Sequence, residues 1–555
     1  MLNSEIADAF TLLSKLTDIH GLNSFKSKSY SIAAFTIDKL TVQLKDIEPK
    51  KMATIKGIGA SIASKITELI STNSLQVLQQ LISITPKGVI EMMQIKGIGP
   101  KKINIIWKIM ELESVGELLY ACKENRLKLY KGFGEKTQQT VIENIEFYFR
   151  NQGSFLYSQV AFGAEQFVLY LQKLFTNKRI FATGEYARQL EIITQLEFII
   201  EEEKDIVLNK LNTQKGLEFI SDNEDCITYK TVIGITLKIY ATTHAVIEKL
   251  ISTSSSKVFL NALEINYPTN KLAKNEAEYF TVRNIPFIPA YLREYETILS
   301  HTFTYNNPIK DTDIKGLIHC HSTWSDGNNT IEEMALAAQQ KGMEYLVITD
   351  HSKSAFYAKG LVEEQIKAQH QYIAELNVKL APFKIFKSIE SDILNDGSLD
   401  YSNSILSTFD VVIASVHSNL KMSEDKAMAR LLTAIENPYT TILGHLTGRL
   451  LLSRPAYPLN FKKIIDACAA NQVVIELNAN PNRLDIDWRE IKYALNKNVL
   501  LSINPDSHSI TGIDDIKYGV LVAQKAMLQP TQNLSSYSLQ QFEQFVEKRK
   551  IFKNL

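Results

Sequence analysis

Beyond residue 315 the chain alternates strand-like and helix-like stretches, and most strand-like runs end in a histidine or a carboxylate. The runs are LIHCH, YLVITDH, KIFKSIESD, DVVIASVH, TTILGH, VVIELNAN and LLSINPD, with helical patterns at 330–342, 362–379, 424–436, 460–471, 487–498 and 515–527. Repeated strand–helix units of this length predict parallel strands closed into a barrel, with chemistry collected at the C-terminal strand ends. Nine ligand-type side chains fall there: His319, His321, Asp326, His351, Glu390, His417, His445, Asp506 and His508. Six of the ten histidines in the chain belong to this set. Neutral imidazoles combined with carboxylates suit Zn²⁺, Mn²⁺ or Fe²⁺. The pattern predicts a metal-dependent hydrolase.

At 555 residues the chain has room for several domains. Its net charge is zero, so attraction to nucleic acid must come from a local patch. Residues 24–110 supply one, with 13 Lys against 5 Asp plus Glu, about +8. Cys122, Cys226, Cys320 and Cys468 form no CxxC, which fits a reducing cytosol better than secretion. The polar start MLNSEIADAF lacks a signal-peptide pattern, and no apolar run reaches membrane-spanning length. A soluble protein of the cytoplasm is therefore expected.

Residues 1–150 read as helical, with apolar spacings of three and four in IADAFTLLSKLTDI, ASKITELIST and VIENIEFYF. Two segments inside this region nearly repeat, MATIKGIGASIASKI (52–66) and MMQIKGIGPKKINII (92–106), and LYKGFGEKTQQTVI (129–142) is a weaker third. In each, a GxG turn opens a helix: Gly57 and Gly59, Gly97 and Gly99, Gly132 and Gly134. Such turns let backbone N–H groups approach a phosphate, and the helix N-terminus adds positive potential. Lys56, Lys96, Lys101, Lys102 and Lys136 add Coulomb attraction. The segments resemble the helix-hairpin-helix element, which grips the DNA backbone without reading sequence. From about 155 to 300 a mixed α/β pattern follows, with strand-like runs at KRIFAT, QLEFII, KDIVLN and GITLKIYAT, and SHTFTYNNPIKDTD reads as a linker.

Taken together, the parts resemble the bacterial family X DNA polymerases that carry a C-terminal PHP (polymerase and histidinol phosphatase) domain. HCHSTWSDG, ITDHSKS, IESDILNDGSLDY, SVHS, LGHLTGRLL, NANPNRLD and PDSHS follow the family's order, and NEAEYFTVRNIPFIPAYLRE resembles its thumb. The resemblance implies a multidomain α/β protein. Expected are an N-terminal helical DNA-binding domain at 1–85, a fingers-like helical domain at 86–153, a palm at 154–240 and a thumb at 241–302. A linker at 303–313 and a PHP domain of (βα)7-barrel type at 314–555 complete it.

The palm departs from the family pattern. Where the family carries Gly-Ser-x-Arg-Arg, this chain reads GEYAR (184–188), so Glu185 stands at the serine and Arg188 keeps one of two arginines. The Asp-x-Asp pair becomes Gln195 and Glu197, and the third carboxylate becomes Thr236. Asp205 and the EEE run at 201–203 fit no matching pattern. Two-metal nucleotidyl transfer needs carboxylates to hold Mg²⁺, so a degenerate polymerase site is expected, with the palm kept as a DNA-positioning scaffold.

By resemblance the nine ligands hold two to three divalent ions, with Glu390 suited to bridging. Adjacent cations acidify a shared water that attacks a phosphodiester in line. His319 and His321, two apart on a strand, should share the pocket, with Cys320 facing away as apolar filler. His508 or Asp506 could also move protons. Arg449, Arg483 and Lys353 are candidates to grip phosphate, beside the alternative of ordinary salt bridges. The resemblance implies a Mn²⁺- or Zn²⁺-dependent 3′→5′ exonuclease acting on gapped, nicked or 3′-ended DNA in base excision repair, in a bacterial cytoplasm at the nucleoid. The rival readings are a gap-filling polymerase with PHP proofreading, a non-catalytic DNA-end scaffold and a small-molecule phosphatase.

Overall fold

The computed structural model describes residues 1–40, 42–150, 153–299 and 306–553. The chain forms two compact units, Met1–Lys123 with Leu127–Tyr148, and Glu124–Arg126 with Phe149–Leu555.

The first unit is helical, as expected. Its main helices are Asn3–Ile19, Ser24–Asp38, Ala60–Thr72, Gln76–Ser83, Pro100–Lys108, Val115–Lys123 and Glu135–Arg150. The GxG turns share one construction. Gly57, Gly97 and Gly132 adopt φ of 92°, 94° and 94°. The residue between each glycine pair, Ile58, Ile98 or Phe133, is buried and anchors the turn. Gly59 and Gly99 are the extended N-caps of the helices that follow. Lys56, Lys96, Lys101 and Lys136 are exposed at these turns, while Lys102 is half-buried and its Nζ donates to the Gly97 carbonyl at 3.4 Å. A Cβ on Gly97 would meet only Thr140 Cγ2, at 3.8 Å, so space is not the constraint. Gly97→Ala is therefore expected to cost the left-handed penalty alone, roughly 1–2 kcal/mol. Denaturant unfolding of the full chain followed by helical circular dichroism checks it.

The second unit holds three layered parts. A five-stranded sheet runs Ile180–Thr183, Gln195–Ile200, Thr236–Ala241, Ile227–Thr231, Leu217–Asp222 in spatial order. KDIVLN is not a strand, contrary to the sequence reading: Lys204–Asn212 is a helix. Val207 and Leu211, four apart, bury one helical face, and this spacing outweighs the β-branched Ile-Val pair. The strands at 217–222 and 227–231 escaped notice because the outer one is solvent-facing and carries charge, with Phe219 and Ile220 about half exposed. Next come the helices Val246–Thr253, Lys257–Asn266 and Glu276–Thr281, locked by Arg293. The Arg293 side chain is fully buried, and its guanidinium donates to the Ile288 carbonyl, Ser254 Oγ and Glu276 Oε1 at 2.8, 2.8 and 2.9 Å.

The linker expected over 303–313 lies partly outside the described residues. The remainder is not free, because Ile309 is buried in the barrel core and its N–H bonds the Leu528 carbonyl. The barrel has seven strands, all parallel and hydrogen-bonded in sequence order: β1 (Gly316–Cys320), β2 (Tyr345–Ile348), β3 (Lys384–Asp392), β4 (Val411–Ser415), β5 (Ile442–Leu443), β6 (Val474–Asn478) and β7 (Leu501–Asn504). Their near-continuous burial is what a sheet covered on both faces requires. The near-closure is made at the C-terminal ends, where the His321 N–H bonds the Ser507 carbonyl at 2.8 Å and the Ser507 N–H bonds that of His319 at 3.2 Å. The opposite end is covered by the helix Leu539–Lys553, whose Phe542 packs on Tyr345 and Phe386 near the strand starts. Lys525, 4% exposed, ties the barrel to the segments around the five-stranded sheet and its following helices by donating to the carbonyls of Arg188 and Tyr291 and to Glu294 Oε1.

Candidate metal centre

All nine ligand-type side chains predicted from the sequence converge at the C-terminal mouth of the barrel. Glu390, at the end of β3, is the hub. Its Oε1 lies 3.2, 3.2 and 3.0 Å from Nε2 of His319, His417 and His445, and its Oε2 lies 3.0 Å from His351 Nδ1. Asp506 Oδ1 sits 3.5 Å from His319 Nε2 and 3.3 Å from His321 Nε2. Asp326 reaches His351 Nε2 at 3.4 Å and His508 Nε2 at 3.5 Å. Two donor atoms on a tetrahedral ion, each about 2.0–2.1 Å from it, stand roughly 3.3–3.4 Å apart. Most of these separations are close to that value, so the donors are already spaced for ions between them.

Hydrogen bonding agrees. His319 Nε2, both nitrogens of His321, Asp326 Oδ2, His351 Nδ1, Glu390 Oε2 and His508 Nε2 are buried without a hydrogen-bond partner. Orphaned buried polar atoms are costly and rare, and a cluster of them in one pocket fits a bound cation. Two sets stand out, His321–Asp326–His351–His508 and His351–Glu390–His417, with His319–His321–Asp506 as a third. The donor set fits divalent metal.

Electrostatics follow from this crowding. Burial alone would raise Glu390 and Asp506, but the imidazoles around them prevail and hold both well below the usual carboxylate range. Burial and the neighbouring His508 and His351 lower His321 to about 3, leaving it neutral as a ligand must be.

One expectation holds for a different reason. His319 and His321 share the pocket, their rings 5.3 Å apart, yet β1 is not regular there. The β1–β2 register shifts between Leu317 and Cys320, and His319 has φ of 65°. Asp506, facing it across the closure, has φ of 51°. Left-handed non-glycine residues cost free energy and gather at functional sites. Cys320 is buried among Leu317, Leu346 and Ile348, as filler.

A shell of buried carboxylates orients the ligands. Glu476 on β6 accepts from His319 Nδ1 at 2.6 Å, from the His445 N–H at 3.0 Å, and from the side-chain amides of Asn478 and Asn504. With Nδ1 donating, the Nε2 lone pair of His319 faces the centre. Asp392 does the same for His417 Nδ1. Asp350 accepts from the Ser322 N–H, Ser322 Oγ, Ser325 Oγ and Gln369 Nε2, holding the turn that carries Asp326. Sequence reasoning passed over Glu476, although a carboxylate inside the apolar run VVIELN is itself a signal, since lone buried carboxylates are rare. Glu476→Gln is expected to lower metal affinity about 10–100-fold, measured by competition with a chelator of known affinity.

The phosphate candidates fall apart as a group. Arg483 is buried, its Nε 3.6 Å from Asp506 Oδ2 at the edge of the ligand cluster. Arg449 donates instead to Asp487 and to the carbonyls of Arg483 and Leu484. Lys353 pairs with Glu363 at 3.8 Å and is partly exposed.

In the five-stranded sheet, the register pairs Gln195 with Thr236 on adjacent strands. Glu197 is buried and occupied: its Oε1 accepts from Gln195 Nε2 at 2.9 Å and its Oε2 from Tyr240 OH at 2.7 Å. A Cβ on Gly184 would fall 2.3 Å from Glu197 Oε1, so only glycine lets that carboxylate sit there. Glu185 accepts from the Thr194 N–H at 2.6 Å. Arg188 is drawn towards Glu294, 3.6 Å away. Among the described residues no metal-type cluster forms in the five-stranded sheet.

Among the described residues no helix is long and apolar enough to cross a membrane. Family models match at residues 1–75 (helix-hairpin-helix domain), 89–146 (SAM-like helix-hairpin-helix tandem) and 318–480 (PHP domain). The chain is 29% identical to the DNA polymerase/3′-5′ exonuclease PolX of Bacillus subtilis, over 96% of this chain and 97% of that one. The probable phosphatase TTE1963 of Caldanaerobacter subterraneus is 32% identical over 27% of this chain and 56% of its own length. The probable phosphatase YcdX of Escherichia coli is 27% identical over 29% of this chain and 62% of its own. Helix-hairpin-helix modules at one end, a PHP barrel at the other, and alignment along nearly the whole of both chains make this protein a relative of the bacterial PolX family X polymerases with a C-terminal PHP domain.

Proposed function

We propose that the barrel is a metal-dependent phosphodiesterase that removes nucleotides from DNA 3′ ends, and that the palm no longer polymerises. The observation that carries the reading is the convergence of nine ligand-type side chains with so many buried donor atoms left without partners. His319, His321, Asp326, His351, Glu390, His417, His445, Asp506 and His508 would hold two to three ions of Mn²⁺, Zn²⁺ or Fe²⁺. Such ions acidify water and offset charge on phosphoryl oxygens. The protein's part is to fix ligand geometry through Glu476, Asp392 and Asp350, and to keep the pocket dry. Arg483, beside Asp506, is placed to meet a phosphate oxygen; Arg449, with its donors already engaged, is a structural brace.

The hairpin glycines and Lys56, Lys96, Lys101, Lys102 and Lys136 would hold the DNA backbone of a gapped or nicked duplex. Such affinity should fall steeply with salt, because phosphate contacts release counterions. In the palm, Glu197 is committed to Tyr240 and Gln195, which favours a scaffold role over Mg²⁺ binding.

The test is hydrolysis of bis(p-nitrophenyl) phosphate, a minimal phosphodiester, by the full chain before and after chelation and with Mn²⁺ or Zn²⁺ restored. Activity lost on chelation and regained with metal supports the reading; turnover indifferent to both removes it.

A further inference from the structure

The loop that follows ligand His351 is held unusually firmly for an exposed loop. A bridge joins Ser352 to Leu361, the Lys353 N–H donates to Tyr401 OH at 3.1 Å, and the Ser354 N–H and Oγ both donate to Asp400. Ala355 and Ala358 are fully buried beneath the loop's single turn, Phe356–Ala358. Two aromatic rings stand on that turn. Phe356 is 78% exposed, and its ring meets that of Tyr357 edge-on at 5.7 Å. The Tyr357 hydroxyl is shielded from water yet has no hydrogen-bond partner.

Charge surrounds the pair. The Arg126 guanidinium lies 4.1 Å from the centre of the Tyr357 ring, and Arg126 Nε also lacks a hydrogen-bond partner. Burial first, and then the carboxylates of Asp392, Glu390 and Asp326, raise the Tyr357 hydroxyl well above its usual range despite Arg126. Two of those carboxylates are candidate metal ligands and the third orients His417, so this hydroxyl lies within electrostatic range of the centre. The Asn125 amide fixes the segment by donating to Asn328 Oδ1 at 2.6 Å, and Glu124 Oε1 sits 3.9 Å from His508 Nδ1.

A hydroxyl donor without an acceptor, a guanidinium with a free donor, and an exposed aromatic ring on a pinned turn are what a nucleotide end requires. Bases stack on aromatic faces with little regard to sequence, and phosphates take hydrogen bonds from Arg and Tyr. We propose that Phe356, Tyr357 and Arg126 form a subsite for the 3′-terminal nucleotide, with Phe356 stacking on its base and the other two meeting its phosphate. This rests on the phosphodiesterase reading and deepens it, because such a subsite selects a nucleic-acid end over a small phosphate ester.

The test is equilibrium binding without cleavage. Full-length protein in chelator is titrated with two 5′-fluorescent oligonucleotides that differ only in whether the 3′-terminal nucleotide carries its base. Contacts made by the hairpins are common to both and cancel in the affinity ratio. Wild type is expected to prefer the end bearing a base by about 5- to 150-fold, the range that base–aromatic stacking spans. Phe356→Ala should bring the ratio close to one, and Phe356→Trp should restore it. Tyr357→Phe should keep the ratio while weakening both ligands. A wild-type ratio near one, or a Phe356→Ala ratio equal to wild type, overturns the subsite. Failure of wild type to hydrolyse bis(p-nitrophenyl) phosphate overturns the phosphodiesterase reading separately, whatever the binding ratio.

Discussion

Replacing His319 and His321 together with Ala is expected to lower phosphodiester hydrolysis by more than about a thousandfold, beyond the 10²–10³ lost with a single transition-state donor. Each ring reaches more than one carboxylate. His319 Nε2 lies between Glu390 and Asp506, and His321 between Asp506 and Asp326. Losing both opens two of the three candidate ion positions. The single variants separate chemistry from folding. His319→Ala strips Glu476 of its closest partner and leaves a buried carboxylate short of a donor, which destabilises the barrel. His321 makes no hydrogen bond through either nitrogen, so His321→Ala removes two orphaned polar atoms from the metal-free protein. Metal-free His321→Ala should therefore melt no lower than metal-free wild type, while its bound metal falls by mass spectrometry. Hydrolysis rates measured alongside complete the comparison.

The second large effect concerns the helices between the five-stranded sheet and the barrel. Arg293→Ala should destabilise the protein by about 3–5 kcal/mol, from the cavity left by a large buried side chain together with its lost hydrogen bonds. The guanidinium is fully buried and satisfies three separate acceptors, the Ile288 carbonyl, Ser254 Oγ and Glu276. Truncation leaves the Ile288 carbonyl without this donor and Glu276 without its cation, while Ser254 Oγ keeps its bond to the Leu250 carbonyl, and it opens a cavity beside Phe280. Urea unfolding with unchanged slope and a lower midpoint checks it.

Much of the barrel was legible because its signals are periodic and local. Most βα units spell out their strand and the ligand at its end, from His351 after YLVITD to His445 after TTILG. The DNA-binding turns were legible for the same reason: GIG repeats, and the buried Ile58 and Ile98 explain the residue between the glycines. What escaped notice depends on distant parts of the chain meeting. Glu476 acquires meaning only when β6 brings it against His319, 157 residues away. Arg126 and Tyr357 are separated more widely still. The bulge at His319 cannot be read from LIHCH, because it arises where β1 meets the far end of the barrel at Ser507. Lys204–Asn212 was misread since a short β-branched run looks like a strand until Val207 and Leu211 are seen to share one buried face.

The five-stranded sheet offers a different case. Gln195 and Glu197 come from counting along the chain from Gly184, and Thr236 from the likeness of GITLKIY to a family run; the sheet register pairs Gln195 with Thr236 across adjacent strands. The hydrogen bonds that Glu197 accepts from Tyr240 and Gln195 could not be read from spacing, because they join strands that meet only in the sheet.

One measurement bears most directly on the division of labour between barrel and palm. Purified full-length protein is incubated with a 5′-labelled primer annealed across a short gap, Mn²⁺ or Mg²⁺, and all four deoxynucleoside triphosphates. The expected result is a ladder of shorter products, absent from the His319→Ala/His321→Ala protein. Products longer than the primer would contradict the account, because they would require Glu197, Gln195 and Thr236 to support nucleotidyl transfer after all.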